Sequence, residues 1–541
     1  NLDYKIMQGN SLISEFMGID LDKNKESDET IQLSFTDEIK ELYDRLKIKK
    51  DELLNQSDVG RKKVLKNEIE DLIIKIFEIK LQEQKSDYFK KIRKIEEKWE
   101  RHPVKEQREK EINREKNILF RKTRFNLDEV EKQLRQYTSN QKIRPFFPWK
   151  LYFSEIFQEK DGFDVVIANP PYIVLPKNYF DKTYRFLKGN NNTYVAFLES
   201  ALKHINDSGV TSYIIPTTWL AGNNFKDLRK YFLSNKLVQQ IIQLPYDIFE
   251  KAYVDNLILI LTGLKFKNEQ VSIFKFKIKD DVRNNIKYDI FFLNEWMKDP
   301  EYVIYLNKKL IQILSKYRNV KSIKLRNIAD IQRGTLPPKQ NELHNYSKNN
   351  KQFIPWFDGQ VYRYFIKEGN SFNVIYKNLK ENKPLELFTC EKLFGRQLIS
   401  RKFRMQFSYF NKTAAFKKNL YAIYNLQKRF RYFYILALLN STFYSYVQVN
   451  KNTSGQRDDY PSFSLYDYRN FLIPDLPIKE QTPYINFVIK ILHLTQSENY
   501  LQNTQKQTKV KNLEEEIDQL IYKLYNLTPE EIEIVEGFKN K

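Results

Sequence analysis

The tetrapeptide Asn169-Pro170-Pro171-Tyr172, at the end of the apolar run Phe163-Asp164-Val165-Val166-Ile167-Ala168, constrains this chain more than any other stretch. The run is short, rich in β-branched residues and stopped by two prolines, so it predicts a buried strand whose C-terminal tip carries an Asn and a Tyr. In open α/β sheets that tip is where ligands bind. The proline after Asn169 holds the asparagine backbone extended, and Pro171 stiffens the turn beyond. The side-chain oxygen of Asn169 and the carbonyl of Pro170 can then point the same way, two fixed acceptors suited to one planar NH2 group. Such an amine has its lone pair delocalised into its ring. Two acceptors draw its hydrogens and push the nitrogen toward a tetrahedral shape, while Tyr172 can stack on the ring itself.

The rest of the chain supplies the setting. A length of 541 residues predicts two or three domains. A formal charge of +22 together with 15% aromatics fits a polyanionic partner, nucleic acid first, although a basic balance can also serve solubility alone. Cys390 is the only cysteine, and His102, His204, His344 and His493 are scattered singly, so neither a disulfide framework nor a metal site can be assembled from them. A reduced, intracellular protein is expected. No apolar segment approaches a membrane span and the first residues lack a signal-peptide pattern, so the expectation is cytoplasmic, with no membrane partner.

Residues 1–13, with Tyr4-Lys5-Ile6-Met7-Gln8-Gly9-Asn10-Ser11-Leu12, predict a strand ending in the Gly9-Asn10 turn. Residues from about 27 to 144 are dense in Lys and Glu, with apolar residues at helical spacing: Ile39, Leu42 and Leu46, then Ile69, Leu72, Ile76 and Ile79, then Ile92, Ile95 and Trp99. These predict long amphipathic helices, with a hairpin turning near Ser57-Asp58-Val59-Gly60. Their charges read as solvated faces; an arm of this length can also grip DNA backbone or dock a neighbouring domain. After the tetrapeptide an α/β rhythm returns: a helix through residues 194–198, a strand at 209–216, a helix around 225–233, and strands at 238–242 and 256–261. Such alternation predicts a parallel sheet. Residues 266–322 read as a connector with helical parts. Near the end, Thr528-Pro529-Glu530-Glu531 is a capping box with proline at the first helical position.

Asn-Pro-Pro-Tyr after a hydrophobic strand resembles the catalytic motif of S-adenosylmethionine-dependent amino-methyltransferases, above all those acting on adenine N6 in DNA. Protein-glutamine and ribosomal-RNA guanine methyltransferases share the tetrapeptide. The wider string from Pro148-Trp149-Lys150-Leu151-Tyr152-Phe153 to Tyr172 resembles the Eco57I-like (type IIG) restriction-modification methylases. Farther on, Ile323-Lys324-Leu325-Arg326-Asn327-Ile328-Ala329-Asp330-Ile331-Gln332-Arg333-Gly334, Ile354-Pro355-Trp356-Phe357-Asp358-Gly359-Gln360, Leu438-Leu439-Asn440-Ser441-Thr442-Phe443-Tyr444 and Tyr466-Asp467-Tyr468-Arg469-Asn470-Phe471-Leu472-Ile473-Pro474 resemble the TaqI-like target-recognition domain.

The resemblance implies an α/β fold: a partial Rossmann-like methyltransferase core, a long α-helical insertion, and a mixed α+β C-terminal DNA-recognition domain. The expected divisions are residues 1–26 as part of the core, 27–144 as the insertion, 145–265 as the catalytic core, 266–322 as the connector, and 323–541 as the recognition domain with C-terminal helices. It further implies that Asn169, Pro170, Pro171 and Tyr172 are catalytic. The flipped target base would stack between Tyr172 and Phe249, a position that as a lone Phe reads equally as core. Asn10 would bond the cofactor's adenine, or is an ordinary turn asparagine. Among the arginines, Arg333, Arg396, Arg401 and Arg404 are candidates for DNA contact, either to a guanine edge or to phosphate.

The activity so implied is site-specific methylation of adenine N6 in double-stranded DNA with S-adenosylmethionine as methyl donor, as part of a restriction-modification protein. No glycine-rich cofactor loop precedes Gly9-Asn10 in this chain, so the expectation is that this loop and a nuclease lie upstream in the full-length protein. A phage-defence methylase without a nuclease and an inactive DNA-binding fragment are the alternatives. A methylase of RNA or protein would leave the long basic region after the motif without a role.

Overall fold

The computed structural model describes residues 7–16, 19–20, 22, 29–100, 103–123, 127–138, 143–176, 184–187, 191–245, 248–249, 255–276, 287–339, 342–344, 353–369, 372–400, 403–451, 462–497 and 499–538. The chain forms two compact units, one of residues 1–217 and 232–290, the other of residues 218–231 and 291–541. Both mix strands and helices, an α/β architecture. None of the described helices is long and apolar enough to cross a membrane.

The first unit is built on a six-stranded sheet of β1 (Phe163–Ala168), β2 (Ile205–Pro216), β3 (Val238–Gln243), β4 (Asn256–Thr262), β5 (Gln270–Lys275) and β6 (Asp289–Phe292), in the spatial order β1-β2-β4-β3-β5-β6. The division between the units falls inside β6. β1 runs parallel to β2, and β3 parallel to β5, but β4 is antiparallel to both of its neighbours. The sheet is therefore mixed rather than parallel as expected. Hydrophobic patterning registers a buried strand without its direction, which depends on how the connection returns. By the same pairings the C-terminal ends of β1, β2 and β3 share one edge of the sheet with the start of β4.

The strand before the tetrapeptide also differs from expectation. β1 lies at the end of the sheet, and Val165 and Ile167 are 59% and 75% exposed. A β-branched run reads alike whether its outer face is covered or bare. Residues 266–322 contain the expected helical parts, including α8 (Lys308–Asn319), and also the strands β5 and β6.

Helices α1 (Glu29–Asn55) and α2 (Val59–Gln84) form the hairpin at the expected turn, where Asp58 caps α2 by accepting from Arg61 N at 2.7 Å. Leu42, Leu46 and Leu53 meet Leu65, Ile69, Leu72, Ile73, Ile76 and Ile79, and this core continues into Phe147, Leu151 and Tyr152. Helices α3 (Ser86–Trp99), α4 (Lys105–Thr123) and α5 (Leu127–Thr138) follow. The hairpin is anchored by a buried cation: Lys50 Nζ donates to Tyr152 O and lies 3.2 Å from Glu155. Where the chain leaves for α1 and where it returns are adjacent, since the Asp22 carboxylate accepts from Trp149 N at 3.1 Å and Lys150 N at 2.9 Å.

The second unit carries an antiparallel sheet of β7 (Asp330–Arg333), β8 (Lys392–Arg396), β9 (Phe407–Phe410) and β10 (Leu420–Tyr424), ordered β7-β10-β8-β9. One face meets an aromatic core that includes Trp356, Phe357, Phe388, Phe394, Phe410 and Phe416. Helices α9 (Tyr432–Asn440), α10 (Thr442–Lys451), α11 (Leu465–Arg469), α12 (Ile478–Thr495) and α13 (Thr504–Leu524) complete it. Strand Leu472–Pro474, within the last string that resembled a recognition domain, pairs antiparallel with Ser322–Lys324. The capping box stands as predicted: Glu531 N donates to Thr528 Oγ1 at 3.3 Å, and Thr528 N to Glu531 Oε2 at 2.8 Å.

Candidate active site

The tip of β1 is a short turn folded back on β2. Asn169 is exposed, Pro170 buried, Pro171 exposed and Tyr172 half-buried. The Tyr172 hydroxyl donates to Ile214 O at 2.9 Å and stands 3.4 Å from Asn169 Oδ1. A phenol has a single hydrogen to give, so the shorter contact takes it and Asn169 Oδ1 keeps its acceptor capacity. Partial burial pushes the phenol up to about 12, which keeps it a neutral donor throughout the physiological range.

The turn is clamped from the other side by Thr193, the first residue of α6 (Thr193–His204). Its hydroxyl donates to Pro171 O and accepts from Ile173 N at 3.2 Å, and its own amide donates to Ile173 O at 2.9 Å. Val174 bridges to Asn192, and Leu175 N donates to Asn191 O at 2.9 Å. The Tyr172 ring meets Tyr194 edge-on, with centroids 6.4 Å apart. Proline stiffness therefore accounts for only part of this geometry. Thr193 was not picked out from the sequence; the polar Asn190-Asn191-Asn192-Thr193 entry to an apolar helix is the signal that could have found it.

Phe249 is half-buried and follows β3, so topology places it on the same edge of the sheet as the tip. Beside it, Ile248 packs on the cluster of Ile242, Leu244 and Phe276. Asn10 forms the expected turn, and its Oδ1 accepts from Leu12 N at 3.1 Å, which commits that oxygen locally. The glycine before it is required by close approach: a Cβ on Gly9 would fall 2.7 Å from Phe146 O. The expected strand before this turn falls largely on residues 1–6, outside the described residues. Gly162, Gly209 and Gly263 all crowd residues 205–207, at the edge of the sheet opposite the tip. Among the described residues the tip thus fits a holder for a planar amine, and does not itself present a glycine-lined cradle for a nucleoside cofactor.

Comparison with known proteins decides the family. Residues 17–249 match the Eco57I restriction-modification methylase, and residues 354–473 match the TaqI-like C-terminal specificity domain. Those two regions of the chain belong to the Eco57I-like restriction-modification methylases and to the TaqI-like specificity domains. A Methanocaldococcus jannaschii protein named as a putative type II restriction enzyme and methyltransferase is 30% identical to this chain over 406 residues, 72% of this chain and 33% of that protein. The Escherichia coli type II restriction enzyme and methyltransferase Eco57I is 24% identical over 125 residues, 21% of this chain and 12% of the enzyme. The chain thus spans a third or less of the length of these two relatives. The solved structure of the type IIL restriction-modification enzyme MmeI with DNA is similar at a TM-score of 0.45 and 11% identity, covering 76% of this chain and 64% of that one.

The four candidate arginines sort by where their charge goes. Arg333 is exposed at the end of β7, opposite Tyr421. Arg396 is half-buried and donates through Nη1 to Gln406 Oε1. Arg404 turns inward: Nη2 donates to Asn440 O at 2.9 Å, Nε is shielded from solvent, and burial lowers the guanidinium to about 10. Arg401 lies outside the described residues. Beside β7 stand residues that the sequence reading did not name as DNA contacts. Arg469 is exposed on α11 and donates to Ile331 O of β7 at 3.3 Å, and Arg326 is exposed on the turn before β7. Tyr466, 46% exposed, lies within the field of Arg326. The string Tyr466-Asp467-Tyr468-Arg469, with two tyrosines and an arginine in four residues, was the available signal.

Proposed function

We propose that this chain is the methylating and target-recognising portion of a site-specific DNA adenine-N6 methyltransferase that takes its methyl group from S-adenosylmethionine, within a restriction-modification protein. The observation that carries the proposal is the tip of β1, where the only phenolic hydrogen of Tyr172 goes to Ile214 O and leaves the exposed Asn169 Oδ1 to accept from a ligand amine.

An adenine still paired in a duplex cannot reach a pocket at a sheet edge, so the base must be extruded, at a cost of a few kcal/mol. Asn169 Oδ1 and Pro170 O then accept the two amine hydrogens, and Tyr172 and Phe249 cover the faces of the ring. The nitrogen lone pair is left pointing away from both acceptors. S-adenosylmethionine, when bound, supplies an electrophilic methyl group. The chain's own contribution is alignment, which can supply roughly 7–11 kcal/mol of a barrier when reacting groups are held in place. In the second unit, Arg333, Arg326, Arg469 and Tyr466 form the DNA-facing group, and Arg404 serves the fold.

The test is to express the protein as its gene encodes it, incubate it with S-adenosylmethionine and duplex DNA of mixed sequence, and map N6-methyladenine by sequencing. The expected result is a mark at one short motif. Binding of both DNA and cofactor without any mark refutes the assignment. Salt-sensitive DNA binding with indifference to S-adenosylmethionine would instead favour a pure recognition module, the reading to which the lack of a glycine cradle at the described tip lends support.

A further inference from the structure

Resting on the reading of the chain as a DNA methylase, we propose that the exposed face of α4 is a further duplex contact, gripping the phosphate backbone through Lys110, Arg114 and Arg121. Read as sequence, α4 intersperses four glutamates among seven lysines and arginines. The folded helix sorts them. Lys110, Asn113, Arg114, Asn117 and Arg121 recur at helical spacing, so they form one stripe, and all five are exposed. With Ile118 they line a shallow groove along the helix. The opposite side is turned to α3: Glu115 accepts from Lys98 at 2.5 Å and from Trp99 Nε1 at 3.1 Å, and Lys116 donates to Glu96 at 2.7 Å.

Three carboxylates border the stripe: Glu111 is 3.3 Å from Arg114 Nη1 at its side, and the exposed Glu106 and Glu109 lie one turn before Lys110 and Asn113. From Lys110 to Arg121 the stripe itself carries cations and amides only. The hairpin α1–α2 does not share this pattern, because Lys47, Lys49 and Arg61 are paired to Glu159, Glu68 and Glu52. At a rise of about 1.5 Å per residue, the three cations of α4 stand about 6 and 10 Å apart along the helix. Asn113 and Asn117 lie between them and can donate to phosphate oxygens, the commonest class of protein–DNA hydrogen bond. Neutral amides interleaved with cations suit a phosphate backbone better than an acidic peptide, whose carboxylates would seek bidentate arginine geometry at each contact.

The test compares K110Q/R114Q/R121Q with K90Q/K91Q/K94Q, which removes the same charge from exposed positions of the neighbouring α3. Glutamine keeps helix propensity close to that of Lys and Arg, and circular dichroism with a melting curve verifies the fold of each variant. Affinity of the whole protein for a duplex is measured across a range of salt concentrations. Each neutralised phosphate contributes about 0.9 to the slope of log affinity against log salt, so the stripe variant should lose about 2.7 of that slope. The α3 variant should keep the wild-type slope. R121Q alone, the mildest change, should lose about 0.9. An unchanged slope in the stripe variant, or an equal loss in the α3 variant, overturns the α4 contact while leaving the DNA methylase reading in place. A wild-type protein that ignores DNA overturns both.

Discussion

Asn169 and Thr193 act at the same turn through different means: the first is exposed and is the acceptor proposed for the ligand, and the second holds the backbone beneath it. On the proposed function, replacing Asn169 with Ala removes one of two preorganised acceptors while leaving the proposed DNA-facing residues of the second unit untouched. Turnover should fall by about a hundredfold or more, the scale on which single preorganised hydrogen-bond partners act, with DNA affinity nearly unchanged. Single-turnover methylation and a binding titration separate the two, and near-normal methylation would remove Asn169 from the chemistry. Thr193→Val keeps the side-chain shape but strands Pro171 O and Ile173 N, each of which bonds the Thr193 hydroxyl. Loss of such a partner costs about 1–3 kcal/mol, here as local disorder of the turn. The expected result is a lower kcat with little change in KM, restored by Thr193→Ser, which keeps the hydroxyl. A uniform loss not rescued by serine would mean that Thr193 only packs. The tetrapeptide was readable because proline acts locally on its neighbours. The clamp was not, because it joins residues 22 positions apart through one side chain.

At the scale of elements, what could be read depended on whether the signal was internal to the element. The hairpin α1–α2 was readable because helical spacing of Leu42, Leu46, Ile69 and Ile76 and the Asp58 cap are properties of each helix alone. The direction of β4 and the bare face of β1 are properties of neighbours, and local patterning is silent on both. Leu46 is fully buried between the helices. Leu46→Ala should therefore destabilise the first unit by about 2–5 kcal/mol, the range for deleting a buried leucine side chain without full collapse of the site. Denaturant unfolding measures this, and the Leu53 position, equally buried, provides an independent repeat. A loss below the range at both positions would show that the hairpin folds apart from the core it touches at Phe147 and Leu151.

For the whole molecule, the basic surplus and the abundance of tyrosine have opposite consequences as pH rises, and the second unit holds both. Burial lowers the Lys392 ammonium to about 8 against an ordinary 10.5; its Nζ donates to Phe388 O and Cys390 O. Burial likewise lowers Lys451 to about 8. A lysine depressed in the folded state contributes stability that is present above 10.5 and is lost as pH falls through about 8, so stability climbs between those values. Tyrosines shift the other way. Burial pushes Tyr317 up to about 12, and Tyr444 and Tyr525, which share a hydroxyl hydrogen bond, rise well above 10. A raised phenol contributes stability that is complete below 10 and is lost as pH rises through its folded value. For the fully buried Lys392 and Tyr317 each limb is worth about 3 kcal/mol. The Tm of this unit should rise from pH 8, peak near pH 10, and then fall steeply as tyrosinate absorbance appears with the unfolding transition rather than before it. Calorimetry across that range tests the shape, and Lys392→Met should reduce the rising limb, to which Lys451 still contributes, while leaving the falling one. Tyrosinate absorbance developing below pH 11 in the folded protein would show that the Tyr317, Tyr444 and Tyr525 cluster is open to water, and the tight aromatic packing assigned to this unit would have to be abandoned.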